Sequence, residues 1–386
     1  MKGRLNPAPD APFTRPTVPA NSLYGVRSIV SKPSSLFDGT NRIERCKMKK
    51  GKRNRNLLLG IGIGAGIAAQ FLRRSRYDVC GKTVFITGGS RGLGLLLARE
   101  FARRGARVAI AARDGEALMR ATEDIRRFGD NVLAIESDIT MREEADMAVD
   151  LIRQKFGPVD ILVNNAGTIC VGPLEVMTID EFRDSLNTHF WGPYFATMAV
   201  LHDMQARNQG RIVNISSIGG KVSVPHLLPY CVGKFALTGF SEGLRSALLK
   251  DNICVTTVCP GLMRTGSPRN AQFKGDNEAE YAWFSISDAV PIISMNAERA
   301  ALRIVRACIR GEAEVVLSLP AKVAAKFNAL FPGITADIMA LANRMLPSAQ
   351  EADTAVKTGK QSFSDVSPSW VTTLNERAAE NNNQVA

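Results

Sequence analysis

Tyr230 and Lys234 stand four apart in Y-C-V-G-K. The pattern from Tyr230 to Leu249 predicts a helix, so both side chains point to one side of it. An unperturbed phenol has a pKa of about 10 and is a poor base at neutral pH. An ammonium beside it favours the phenolate and lowers that pKa towards the working range of a general acid/base. Y-x-x-x-K is common by chance, so its surroundings decide. Ser217 lies thirteen residues upstream, just past the apolar run R-I-V-N-I. In an open parallel sheet, ligands sit outside the carboxyl ends of the strands. Ser217 can therefore hold a substrate oxygen opposite the tyrosine hydroxyl.

A second constellation begins at Lys82 and reads K-T-V-F-I-T-G-G-S-R-G-L-G. Val84 to Ile86 is an apolar run suited to a strand buried on both faces. Gly88, Gly92 and Gly94 follow at once, and Leu95 to Arg104 reads as a helix. Glycines let backbone approach a pyrophosphate, and a helix N-terminus offers unpaired N–H groups and a positive dipole end. The spacing is G-x-x-x-G-x-G, not the usual G-x-G-x-x-G dinucleotide fingerprint, and a glycine cluster alone can be a structural turn. Asn164-Asn165-Ala166-Gly167 follows another strand and would line the same crevice. Asn187, inside a predicted helix, is a poor helix former whose own chemistry reads as a surface or capping residue.

The elements that must position these residues alternate. Strands are expected at Thr83–Thr87, Arg107–Ala111, Val132–Glu136, Ile161–Asn164, Gly210–Ile215, Cys254–Cys259 and Glu314–Leu317. Helices are expected at Leu95–Arg104, Gly115–Phe128, Arg142–Phe156, Ile179–Arg207, Tyr230–Leu249 and Ala297–Arg310. That order predicts an α/β fold, one doubly wound domain over 77–319 with a seven-stranded parallel sheet covered on both faces.

T-G-G-S-R-G-L-G, Asp138-Ile139, N-N-A-G, the helix asparagine, N-I-S-S, Y-C-V-G-K and Pro260-Gly261 occur together, in one order. In this the chain resembles the short-chain dehydrogenase/reductase family, from Gly81 to about Leu319. The resemblance implies a Rossmann fold and a catalytic tetrad of Asn187, Ser217, Tyr230 and Lys234. Tyr230 would be the acid/base and Ser217 the partner of the substrate oxygen. Lys234 would bind the nicotinamide ribose and lower the tyrosine pKa, while Asn187 would hold a water in a proton relay. For the cofactor it implies Gly88, Ser90, Arg91, Gly92, Leu93 and Gly94 at the phosphates. Arg113, Asp138, Ile139, Asn165, Ala166 and Gly167 would then lie on the adenine and ribose side, with Pro260, Gly261 and Thr265 beside the nicotinamide. Asn187 is followed by Thr188-His189, where the family more often has an apolar residue.

A carboxylate at the end of the second strand would accept the ribose 2′-hydroxyl of NAD, whereas arginine suits the 2′-phosphate of NADP. That strand ends in Ala112-Arg113, and Arg91 lies in the glycine loop. Asp114 is the counter-signal, one step beyond the family's acidic position. NADP(H) is the expected cofactor and NAD the alternative. The segment between Gly261 and Asn296 should cover the substrate pocket. Met263, Tyr281, Trp283, Phe284 and Ile286, with Leu227 and Leu228, predict a hydrophobic ketone or secondary alcohol as substrate. The expected enzyme is thus an NADP(H)-dependent oxidoreductase. Its rivals are an NAD-linked alcohol dehydrogenase and a non-catalytic, membrane-tethered nucleotide-binding scaffold; the complete tetrad argues against the scaffold. The resemblance further implies a homodimer or homotetramer, with Ile179–Arg207 and Tyr230–Leu249 as interface helices.

The 386 residues allow one α/β domain of about 250 residues plus extensions. Residues 1–76 hold 16 Lys/Arg and 3 Asp/Glu, leaving 33 and 34 for the remainder, so the net charge of +12 belongs to the N-terminal segment. The near-neutral domain lacks the basic face that nucleic-acid binding needs, and only the tail remains for that role. The cysteines (Cys46, Cys80, Cys170, Cys231, Cys254, Cys259 and Cys308) are odd in number and without a C-x-x-C pair, which points to reduced thiols. His189, His202 and His226 have no metal-ligand spacing, and no metal is expected.

Residues 1–55 mix Pro, Ser, Asn and basic residues and are expected to be disordered. Met48 opens a second candidate start, which would leave 1–47 untranslated. Leu57–Leu72 is uncharged between basic flanks, with Gly60 and Gly64 in G-x-x-x-G spacing. As a helix it reaches roughly 24 Å, short of a hydrocarbon core of about 30 Å. It reads as a membrane anchor, a signal peptide cleaved near Gly66-Ile67-Ala68, or an amphiphilic soluble helix. Seven basic residues from Arg45 to Arg55 against three from Arg73 to Arg76 would keep the N-terminus cytoplasmic. A full span would then export the domain away from its nucleotide; a shallow insertion of 56–76 leaves it on the cytoplasmic side. Residues 320–348 read as two amphipathic helices split by Pro332-Gly333, packed on the domain, on a second subunit or on a membrane surface. Residues 349–386 are polar and expected to be disordered.

Overall fold

A computed structural model describes residues 77–291, 293–349, 355–365, 367–369 and 372–385. The basic segment 1–55 and the apolar segment 56–76 lie outside the described residues. Among the described residues, no helix is long and apolar enough to cross a membrane.

Seven strands form one parallel sheet: β1 (Thr83–Thr87), β2 (Arg107–Ala112), β3 (Val132–Glu136), β4 (Ile161–Asn164), β5 (Gly210–Ile215), β6 (Ile253–Cys259) and β7 (Glu314–Val316). Their order is β3-β2-β1-β4-β5-β6-β7. All seven lie where the sequence places them, with one end moved by a residue at β2, β6 and β7. β1 and β6 are buried along their whole length, as strands covered on both faces must be. On one face pack α1 (Gly92–Ala102), α2 (Gly115–Arg126) and α8 (Ala297–Arg310), bringing Leu97, Phe101, Ile125 and Ile304 onto Val84 and Ile110. On the other pack α3 (Arg142–Phe156), α5 (Gly192–Ala206) and the end of α6 (Leu228–Leu248), bringing Ile152, Val200 and Leu248 onto Phe85 and Leu162. The chain winds outward from β1 through β2 to β3, then returns to β4 on the other side. The β1/β4 boundary is the point where strand order reverses and ligands bind.

The single helix expected over Ile179–Arg207 is two. α4 (Ile179–Leu186) starts at a capping box between Thr178 and Glu181, and a π-turn over Asn187–Trp191 separates it from α5. Gly233 lets α6 cross α4 closely, since a Cβ there would meet the Ser185 hydroxyl and the His189 side chain. α7 (Asn277–Ala289) stands over the carboxyl ends of the strands. α9 (Leu319–Leu330) and α10 (Pro332–Asn343) divide at Pro332-Gly333 as expected.

The expected disorder of 349–386 differs from what its described residues do. Phe363 packs against Tyr281 with ring centroids 5.3 Å apart, and Ser367 Oγ lies 2.7 Å from Ser285 Oγ. Helix α11 (Thr373–Asn381) places Asn375 so that its Nδ2 donates to Asp288 Oδ2 at 3.1 Å. Ala379 is fully buried and closes on Gly266. Hydrogen bonds to buried polar partners hold much of this stretch, and a composition poor in apolar residues does not reveal them.

Candidate active site

The glycine loop is built as a cradle. Gly88 and Gly92 adopt positive φ (64° and 57°), and a Cβ on Gly94 would collide with the Gly88 carbonyl. Side chains are therefore excluded at two kinds of position, the left-handed turn and the close approach. Thr87 Oγ1 accepts from the amides of Asn165 (3.0 Å) and Ala166 (3.1 Å). Asn165 Nδ2 donates back to the carbonyls of Thr87 (3.1 Å) and Gly88 (3.0 Å). N-N-A-G thus clamps the end of β4 to the loop after β1. Arg91, the residue before α1, makes no side-chain cap, so the helix enters the site with its first amides unprotected by its own sequence. The Gly92 N–H is instead taken by the Asn382 carbonyl at 2.9 Å. Asn383 Nδ2 donates to the Ser90 carbonyl at 2.8 Å, and Gln384 lies over Gly92.

From this cradle a cavity of about 850 Å³ runs to Tyr230. At the cradle end it is lined by Gly88, Ser90, Arg91, Gly92 and Leu93, with Arg113, Asp138 and Ile139 beside them. Asn165, Ala166 and Gly167 line its middle, and Pro260, Gly261 and Thr265 line the far side. Gly94 shapes the cradle from behind without lining the cavity. Backbone amides at a helix N-terminus, two arginines and glycines that a Cβ would block form a donor set that fits a dinucleotide phosphate. Asp114 lines the same end, and its Oδ1 accepts the Ala117 amide at 2.9 Å as the N-cap of α2. The exposed Arg113 guanidinium lies 3.9 Å from Asp138, whose Oδ1 is held by Thr140.

At the other end Ser217, Tyr230 and Lys234 converge. The Ser217 Oγ accepts the Gly219 amide at 3.0 Å, which leaves its O–H free to point into the cavity. The same hydroxyl reaches the Tyr230 phenol. Gly219 lets the tyrosine ring pack flush, since a Cβ there would touch its edge. Lys234 is buried, donates to the Ile215 carbonyl at 2.9 Å and stands 5.6 Å from the centre of the Tyr230 ring. The expected electrostatics are corrected here. Burial raises the Tyr230 pKa above its ordinary value, with the Ser217 hydroxyl pulling the other way. Burial also pushes the Lys234 ammonium down to about 7. In a dry site burial works against charge on both groups: the phenol stays protonated and the lysine divides between ammonium and amine near pH 7, so proximity to lysine alone does not acidify the phenol.

Asn187 is a second correction. It is exposed and does not line the cavity. The π-turn widens the helix at this point, and the side chain it turns inward is His189, which is 1% exposed. His189 Nε2 lies 2.9 Å from the Thr168 carbonyl, and its ring stands edge-on to Tyr230 at 5.3 Å. The sequence signal was present in the unusual Thr188-His189, but no helical register computed at 3.6 residues per turn could place it.

Beyond Tyr230 the cavity has an apolar wall, with Ser287 and Asp288 also lining it. Val224, Leu227, Met263, Trp283, Phe284 and Ile293 line it, whereas Tyr281, Ile286 and Leu228 do not. Tyr281 packs instead between Phe273 and Phe363. Trp283 is fixed by donating its indole N–H to Glu280 Oε2 at 2.6 Å, and the other Glu280 oxygen lies 2.6 Å from His226 Nδ1.

Residues 82–274 match the family model described as short chain dehydrogenase. A human protein named 17-beta-hydroxysteroid dehydrogenase 13 is 32% identical over 203 residues, covering 52% of this chain and 68% of that protein. A dehydrogenase/reductase SDR family protein 7-like from Anopheles gambiae is 33% identical over 251 residues, covering 64% and 78%. Among solved structures, L-sorbose reductase from Gluconobacter frateurii, complexed with NADPH and L-sorbose, superposes with a TM-score of 0.55 at 27% identity, covering 63% of this chain and 97% of that one.

Proposed function

This chain belongs to the short-chain dehydrogenase family of oxidoreductases, and on that premise we propose that it is an NADP(H)-dependent reductase acting on a hydrophobic ketone, with the reverse oxidation of the secondary alcohol. One observation carries the reading: a single cavity joins a phosphate cradle at Gly88–Gly94 to Ser217, Tyr230 and Lys234. NADP is preferred because two arginines, Arg91 and Arg113, line the cradle, while Asp114, which lines it too, has one carboxylate oxygen held by the cap of α2. The apolar wall of Leu227, Trp283 and Phe284 favours a lipophilic substrate.

When bound, the nicotinamide supplies the hydride to the carbonyl carbon or receives it from the carbinol. Ser217 donates its O–H to the substrate oxygen and fixes it opposite Tyr230. In reduction Tyr230 transfers its proton to that oxygen as the carbon gains the hydride, so one C–H and one O–H bond form while the C=O π bond breaks. The raised phenol is protonated at neutral pH, which suits it to the donor role. Lys234, one turn along α6, lies on the side from which the phenolate recovers its proton.

The test is NADPH oxidation against a panel of lipophilic ketones, with small keto sugars as controls. Tyr230→Phe should lower kcat by about 10²–10⁴-fold while the Kd for NADPH stays within about twofold. Undiminished turnover in that variant, or a preference for small keto sugars, overturns the reading.

A further inference from the structure

Among the described residues that line the cavity, His189 is the one whose side chain has a polar atom buried without a partner. Its Nδ1 is fully enclosed and makes no hydrogen bond among the described residues. Its other nitrogen settles the tautomer. A carbonyl can only accept, so Nε2, 2.9 Å from the Thr168 carbonyl, must carry the hydrogen. Nδ1 is then a bare lone pair. Protonating it is disfavoured by burial first and by the charge of Lys234 second, which hold the ring well below the ordinary imidazole pKa. A buried acceptor left unpaired costs about 1–3 kcal/mol, and such an atom calls for an explanation.

The geometry supplies one. A Cβ built on Gly167 would lie 3.5 Å from His189 Nδ1 and 3.7 Å from Lys234 Nζ. The two nitrogens therefore lie within reach of one point beside Gly167, and all three residues line the cavity. Lys234 Nζ uses one hydrogen on the Ile215 carbonyl, and an ammonium has three. An acceptor and a donor with spare capacity thus converge beside the Tyr230 ring.

We propose that His189 is a positioning residue for the proton supply of Tyr230: its Nδ1 accepts a hydrogen bond from a water whose oxygen accepts one from Lys234 Nζ. Once the Lys234 ammonium has given a proton towards the phenolate it is an amine with a free lone pair. The water then turns an O–H to that lone pair and gives up the proton, and the hydroxide left is reprotonated from the cavity that both side chains line. Charge and protons balance at each transfer, and the histidine stays neutral throughout. This role is the one that the family resemblance assigns to an asparagine, filled here by a different side chain presented from a π-turn.

The inference rests on the reductase reading, so the experiment separates the two. First, wild type must reduce ketones and Tyr230→Phe must not; failure there removes the reductase reading itself. Second, His189→Leu deletes the acceptor and His189→Asn restores one. The Leu variant should lose about 10- to 100-fold in kcat, less than a direct proton partner, with KM for NADPH and ketone within about twofold; the Asn variant should recover most of that loss. Wild-type kcat in the Leu variant, or an Asn variant as impaired as the Leu variant, overturns the proposal. Third, should the Leu variant not fold, ¹⁵N shifts of the histidines in wild type decide the tautomer. The chain has three histidines, so His202 and His226 substitutions assign the third. A bare Nδ1 that stays unprotonated below the ordinary pKa of about 6.5 is expected. A hydrogen on Nδ1, or a charged ring at neutral pH, overturns the proposal independently of activity.

Discussion

Arg91 and Arg113 both line the cavity, where their positions in the sequence implied, and in the proposed reading they carry the choice of cofactor. A charge-assisted hydrogen bond contributes about 1.5–3 kcal/mol, so replacing both with neutral residues should raise the KM for NADPH roughly 100-fold or more and leave that for NADH nearly unchanged. Steady-state kinetics with both cofactors check this; parallel losses would sink the NADP assignment. Asp114 shows why the sequence left the choice open: a carboxylate that caps a helix and one that reads a ribose look alike until the Ala117 amide is seen 2.9 Å from it. Ser217, Tyr230 and Lys234 were legible because each is fixed by a strand end or by helical spacing. Asn187 was misplaced because one extra residue in a π-turn changes which side chain faces inward. The protonation of the site was not legible either, since it depends on burial and not on which neighbour is nearest.

At the level of elements, the sheet and its flanking helices followed from periodicity alone, because strands buried on both faces are written as continuous apolar runs. The polar C-terminal stretch did not. Its docking depends on Asn375, Asn382, Asn383 and Gln384 finding buried or backbone partners in distant segments. The Asn382 carbonyl occupies the Gly92 N–H that opens α1, and a carbonyl and a phosphate oxygen are both acceptors for that one hydrogen. Truncation after Ser369 should therefore tighten NADPH binding by about one hydrogen bond, ~0.5–1.5 kcal/mol or roughly 2- to 12-fold, as read by fluorescence titration. Weaker binding would mean that the segment covers the dinucleotide in place of competing with it.

For the whole molecule, the outer face of α5 and α6 is unusually aromatic. Trp191 and Phe235 are 43% and 44% exposed, and the rings of Phe190, Trp191, Tyr194 and Phe240 form one edge-to-face group. Contiguous exposed apolar surface of this kind marks an association site, and a two-fold axis would bury the patch against its own copy. Light scattering should give a multiple of the mass of one chain, and Trp191→Glu with Phe235→Glu should reduce it to one. A wild type of single mass would sink the prediction, and a double variant that keeps the multiple would move the contact elsewhere, for instance to the exposed Leu330, Ile334 and Leu341 of α9 and α10.

One feature of the fold separates reaction from recognition. α7, which brings Trp283 and Phe284 to the pocket, leans on Phe363, Ser367 and Asn375, while Tyr230 stands on α6 with its ring against Gly219, just past β5. Changes confined to that terminal prop would alter which molecule is admitted and leave the hydride step intact. New preferences could thus evolve at the periphery without any risk to the chemistry at the centre.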